Sequence, residues 1–178
     1  MWKSCNLFKL LIIIISYSAP YMSAIANDIN APRFVSIKSN EVNLRSGPAS
    51  HYPIKFIYKH KNYPLEIKAE FEQWRLVSDK GVDQGWIHQS LLSNVRYIVI
   101  IDNKIKEKKL KSQLAENQAL IFRLPAEDSY PILRVEIGVI ARVKKCIEHW
   151  CQIEFQKKRG WIQKVNLWGV YSHELFDN

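Results

Sequence analysis

Two thiols and an imidazole crowd one short stretch, Cys146-Ile147-Glu148-His149-Trp150-Cys151. Thiols beside an imidazole can ligate a metal, form a Cys-His nucleophile pair, or bridge to one another. A metal site of Cys146, His149 and Cys151 lacks a fourth ligand and the usual Cys-x-x-Cys spacing. A hydrolase dyad of Cys151 with His149 or His173 needs a free thiolate, which a bridge would remove. A disulfide needs only two facing positions on an antiparallel hairpin, where β-carbons come within bridging reach. The loop between the cysteines is short, so such a bridge contributes about 2 kcal/mol. His51, His60, His88 and His173 are scattered and read as loop or surface residues.

The N-terminus bears on this choice. Lys3 and Lys9 give a short positive region, Leu10 to Ile15 is unbroken and apolar, and Ala24-Ile25-Ala26 offers small residues at a cleavage point. This is the layout of a secretory signal, with cleavage expected between Ala26 and Asn27. The apolar run is well short of the roughly 20 residues of a membrane span. Cys5 precedes it, which argues against a lipoprotein anchor, and no later stretch is apolar enough to cross a bilayer. The expected location is periplasmic or secreted. In that oxidising compartment Cys146 and Cys151, an even pair, read as one disulfide.

The chain has 178 residues, with 26 Lys plus Arg against 17 Asp plus Glu, a formal charge of +9. Hydrophobic residues reach 47%, too many for a disordered chain. The length suits one ordinary domain or two small ones. Residues 96–111 and 142–159 each hold six basic and two acidic residues. A basic chain first suggests nucleic acid, but export argues against that partner. Anionic cell-wall polymers, lipid head groups and acidic envelope proteins are within reach.

The sequence also repeats itself. Leu44-Arg45-Ser46-Gly47-Pro48, Tyr52-Pro53-Ile54, Trp74 and Gly85-Trp86-Ile87 recur as Phe122-Arg123-Leu124-Pro125, Tyr130-Pro131-Ile132, Trp150 and Gly160-Trp161-Ile162. The offset drifts only between 75 and 78 positions, as one-residue loop changes allow. Glu66 to Ala69, Trp74 to Ser78, Val139 to Val143 and Cys151 to Phe155 alternate apolar and polar, the period of half-buried strands. Asp79-Lys80-Gly81 and Lys157-Lys158-Arg159-Gly160 are matching turn signals. Neither copy holds a capped helical period. Short strands with turns this frequent predict two small barrels. Tyr97 to Ile101 is expected to pair with one barrel and hold the two together, followed by an exposed charged stretch.

These motifs resemble the bacterial SH3-like domain family in its exported tandem form. The resemblance rests on Val42-Asn43-Leu44-Arg45-Ser46-Gly47-Pro48, Tyr52-Pro53-Ile54, Phe71-Glu72-Gln73-Trp74 and Gly85-Trp86-Ile87-His88. It is weaker in the second copy, which lacks the Arg-Ser-Gly-Pro turn. It implies a mostly β fold of two tandem antiparallel barrels, a non-catalytic role, and frequent targeting to peptidoglycan. The expected organisation is a signal peptide (1–26), a first SH3-like domain (34–95), a strand with a charged linker (96–118) and a second SH3-like domain (119–171).

Tyr52, Tyr58 and Tyr63 lie in or beside the segment from His51 to Pro64, flanked by Arg45 and containing Lys55. Aromatic rings can stack on sugars or prolines, and cations can meet stem-peptide carboxylates. Arg45, Tyr52, Lys55, Tyr58, Tyr63 and Trp86 are therefore the candidate ligand residues. Trp74 and Trp150 read as core. Trp168, opposite Ser93 in the repeat, reads as packing between barrels. The expected function is non-enzymatic binding of a cell-envelope component, peptidoglycan first, without metal or cofactor. The alternative is a periplasmic adaptor that recognises a peptide or partner protein. Nothing in the sequence specifies an oligomeric state.

Overall fold

Val42 and Leu44 are buried while Asn43 and Arg45 are half-buried, and this period of two organises the whole molecule. The computed structural model describes residues 32–80, 83–102 and 117–177. The signal segment, its Ala26/Asn27 junction and most of the charged stretch after Ile101 lie outside the described residues.

The first barrel comprises β1 (Arg33–Ile37), β2 (Val42–Arg45), β3 (Ile54–Tyr58), β4 (Pro64–Phe71), β5 (Trp74–Asp79), β6 (Asp83–His88) and β7 (Leu92–Ser93). Its strand order is β3-β2-β6-β5-β4-β1-β7, antiparallel throughout. The second comprises β8 (Tyr97–Ile100), β9 (Gln118–Phe122), β10 (Pro131–Glu136), β11 (Ile140–Cys146), β12 (Trp150–Phe155), β13 (Lys158–Gln163) and β14 (Leu167–Trp168). Its order, β10-β9-β13-β12-β11-β8-β14, repeats the first strand for strand. A last strand, β15 (Phe176–Asp177), adds to β11. The fold is mostly β, two tandem antiparallel units, as the repeat predicts.

Tyr97–Ile100 does pair with a barrel, and does so as the opening strand of the second, against β11 and β14. It occupies the position that Arg33–Ile37 holds in the first. In sequence, 101–117 thus falls between β8 and β9 of the second barrel rather than between the barrels, and the joint between barrels is only Asn94-Val95-Arg96.

Each barrel has its own core. Val35, Ile37, Val42, Leu44, Tyr58, Leu65, Ile67, Val77 and Ile87 fill the first. Ile98, Ile100, Ile121, Val143, Ile153, Ile162 and Leu167 are among those filling the second. Gly-Trp-Ile recurs because a strand crosses closely there. A Cβ on Gly85 would sit 2.7 Å from the Arg45 carbonyl oxygen, and one on Gly160 would sit 2.9 Å from that of Phe122.

Phe34 is buried yet lies outside both cores. It meets Trp168 edge-on at 5.1 Å and Tyr171 at 4.7 Å. Trp168 Nε1 donates to the Pro64 carbonyl (3.3 Å), and the Tyr171 hydroxyl donates to Glu66 (2.8 Å). Trp168 thus packs between the barrels. Arg96, at the end of the joint, grips Glu174 with both terminal nitrogens (2.5 and 2.9 Å) and lies near the Phe34 and Phe176 rings. Burial alone would raise the Glu174 pKa. The hydrogen bond and charge of Arg96 outweigh that and hold it below the ordinary carboxylate value.

Candidate functional site

Trp74 opens β5 and faces His88, which closes β6. Their rings meet edge-on at 5.4 Å. Arg45, at the end of β2, is fixed by Nη1 donating 2.8 Å to the Tyr52 carbonyl and by its register with Trp86 on β6. Between these groups lies a cleft of about 300 Å³, lined by Glu41, Val42, Asn43, Arg45, Ser50, Trp74, His88 and Leu91. His88 Nδ1 lies 2.8 Å from the Ser90 hydroxyl and 3.4 Å from the Ser90 amide, which orients the ring at the cleft. Beside the cleft the Gln89 amide donates to the Gln73 carbonyl (2.8 Å), and the two glutamine side chains bond to each other.

The second barrel answers why this cleft is open. Phe122 stands where Arg45 stands, and Trp150 where Trp74 stands, as the registers against β13 and β6 require. Phe122 and Trp150 meet edge-on at 5.6 Å, and Trp150 is buried. Phenylalanine fills the space beside the indole. Arginine, drawn instead toward the Tyr52 carbonyl, leaves Trp74 half-buried. A cation, an indole, an imidazole, short polar groups and, at Glu41, one carboxylate then share one concavity. That set suits carboxylates and amides on an otherwise apolar or sugar-like body.

The six residues expected from sequence separate into three groups. Arg45, Tyr52 and Trp86 are neighbours. Tyr52 is exposed, stacked on His51 at 4.6 Å, and its ring lies against Gly47. Lys55 sits at another mouth of the barrel, its Nζ donating 2.6 Å to the Gln84 carbonyl. Tyr58 is in the core and Tyr63 packs against it. Burial above all, then the negative charge of Asp79 and Asp83, pushes the Tyr58 hydroxyl pKa up. Burial, then the 2.7 Å hydrogen bond to Asp79, does the same for Tyr63. Burial removes Tyr58 from any binding shelf, and Asp79 occupies the Tyr63 hydroxyl. Sequence reading missed Trp74 and His88. The available signal was that Arg45 aligns with Phe122 at the repeat offset, so only one of the two tryptophans loses its apolar neighbour.

Cys146 and Cys151 face each other in register and form a disulfide, both buried in the second core. The bridge occupies both thiols. Among the described residues no group of three or more His, Cys, Asp or Glu is arranged to hold a metal ion.

A family model described as bacterial SH3 domain matches residues 38–94 and again 115–169. These cover more than half of the chain, and the protein belongs to the bacterial SH3 domain family as a tandem member. No curated protein matches. Among solved structures, the chain is similar to NlpC2 from Trichomonas vaginalis (13% identity, TM-score 0.33, covering 78% of this chain and 48% of that one). It is also similar to NlpC1 from the same organism (14% identity, TM-score 0.31, covering 89% and 50%). The chain spans about half the length of each.

Proposed function

We propose that this protein is an exported, non-catalytic binder of a cell-envelope component, with peptidoglycan as the ligand and the Arg45–Trp74–His88 cleft as the mouth. Bacterial SH3 domains are binding modules, and two occur here in tandem. The observation that carries the reading is the asymmetry of the repeat. The same concavity is open and holds Arg45 in the first barrel, and is filled by Phe122 in the second. Arg45 meets a stem-peptide carboxylate, and Trp74, with Tyr52 nearby, supplies aromatic faces for apolar or sugar contacts. Export through an N-terminal signal cleaved after Ala26 brings the protein to that ligand in the periplasm or outside the cell.

The test is sedimentation with purified peptidoglycan at low and high salt. Wild type is retained at low salt and released at high salt, because an arginine–carboxylate contact near the surface is screened. Arg45→Ala and Trp74→Ala lose retention. Retention that both variants keep refutes the site, and no retention at low salt refutes the ligand. N-terminal sequencing of the exported product checks the cleavage point.

A further inference from the structure

The second barrel carries a different opening, at a mouth that the first has closed. It is a cleft of about 230 Å³ lined by Ile121, Ile132, Leu133, Ile153 and Phe155, with Lys158, Arg159 and Gly160 alongside. Strand registers place Ile132, Phe155, Lys158 and Arg159 at the positions of Lys55, Asp79, Asp83 and Gln84. Two acids, a lysine and a glutamine have become two apolar residues, a lysine and an arginine. In the first barrel Lys55 spans this mouth to the Gln84 carbonyl, and Asp79 accepts from Tyr63. In the second, Ile132 replaces the strap and lies 44% exposed.

We propose that this cleft binds an extended acidic peptide segment of a partner protein, seating one large apolar side chain between Ile132 and Phe155. Three observations select this occupant. The volume lies below the roughly 300 Å³ at which small-molecule pockets begin, and suits a single side chain rather than a lipid. The rim is cationic: Lys158 is exposed, and Arg159, 59% exposed, donates to Glu154 at 2.9 Å while keeping other donors for a ligand. The wall of the cleft is β10, which among the described residues pairs only with β9. Its outer edge offers backbone donors and acceptors to an added strand. Residues 101–111, with five basic and two acidic residues, have the same sign as the rim, which argues against this stretch of the chain as the occupant. The inference is independent of the peptidoglycan reading, which concerns the other barrel.

The experiment titrates the 15N-labelled full chain with four acidic heptapeptides that carry Leu, Ile, Phe or Trp between flanking Asp and Glu residues. Amide shifts are expected at Ile121, Ile132, Leu133, Phe155 and Gly160 and along β10, with none in the first barrel. Replacing the central apolar residue by Ser, or the acids by Lys, abolishes them without altering the protein. Lys158→Glu and Ile132→Lys, both at exposed positions, weaken binding at least ten-fold while first-barrel amides stay in place. The proposal is overturned if none of the four peptides shifts these amides at millimolar concentration. It is equally overturned if Ser- and Lys-substituted peptides bind as well, if both protein variants bind like wild type, or if phosphatidylglycerol vesicles move these amides and the peptides do not.

Discussion

Glu70 and Arg75 face each other across the β4–β5 hairpin, with Arg75 Nε 3.2 Å from a Glu70 carboxylate oxygen. Cys146 and Cys151 hold the same two positions across β11–β12. One duplicated hairpin end is thus closed by an ion pair in the first barrel and by a covalent bond in the second. Arg33 adds a second cation to Glu70 at 2.6 Å.

Removing the bridge tests what it contributes. Cys146→Ser with Cys151→Ser leaves two small polar groups in the second core. The expected loss is about 2 kcal/mol from chain entropy, with a further 1 kcal/mol or so for the buried hydroxyls. Urea unfolding followed at Trp150 and Trp161 would show it. Dithiothreitol should destabilise wild type and leave the double variant unchanged.

The seam should make the two barrels unfold together. Phe34→Ala removes the ring that Trp168 and Tyr171 pack on, at an expected cost of about 3 kcal/mol. Calorimetry should show one transition for wild type and two for the variant, and 15N relaxation should show the barrels beginning to tumble separately. A single unchanged transition would mean that the seam contributes little.

Three tyrosine hydroxyls limit stability at high pH. Burial first, then hydrogen bonds or charge from Asp79 and Glu66, raises Tyr58, Tyr63 and Tyr171 above the usual value. In the unfolded chain each ionises near pH 10. Their contribution is fully present below about pH 10. Above it the unfolded state loses protons that the folded state keeps, so stability falls, by about 1.4 kcal/mol per pH unit for each group. Absorbance at 295 nm should show these three ionising only together with unfolding. Tyr171→Phe should flatten the alkaline slope by one proton.

Exchanging residues between the barrels tests the origin of the first cleft. Arg45→Phe should rebuild the Phe122–Trp150 contact beside Trp74 and close the concavity. Retention on peptidoglycan should fall at least ten-fold, with the unfolding free energy unchanged or raised. Loss of folding together with binding would count against equivalence of the two sites.

The tandem organisation was legible because Trp74 with Gly85-Trp86-Ile87, and Trp150 with Gly160-Trp161-Ile162, mark strands whose close crossing tolerates no Cβ. The equivalence of the first strands of the two copies escaped notice for a simple reason of spacing. Arg33-Phe34-Val35-Ser36-Ile37 and Arg96-Tyr97-Ile98-Val99-Ile100 are equivalent, but residues 38–41 follow one and residues 101–117 the other. The longer intervening sequence shifts this pair out of the offset that aligns everything else, so Tyr97–Ile100 read as a piece between copies. Tyr58 and Tyr63 looked like a binding surface because tyrosine is at home on either side of a barrel wall. Only the register of Tyr58 with Val42, and the Asp79 partner of Tyr63, show that they point inward.

Asn94-Val95-Arg96 leaves the barrels almost no slack, and Arg96 locks the far end onto Glu174 and the Gly169 carbonyl. While the Phe34–Trp168–Tyr171 seam is packed over so short a joint, one barrel cannot search while the other holds. The spacing and angle between the two openings are set at folding, so the molecule behaves as a fixed gauge. Any polymer or partner that engages both must already match that geometry, and one that does not can occupy a single opening at most.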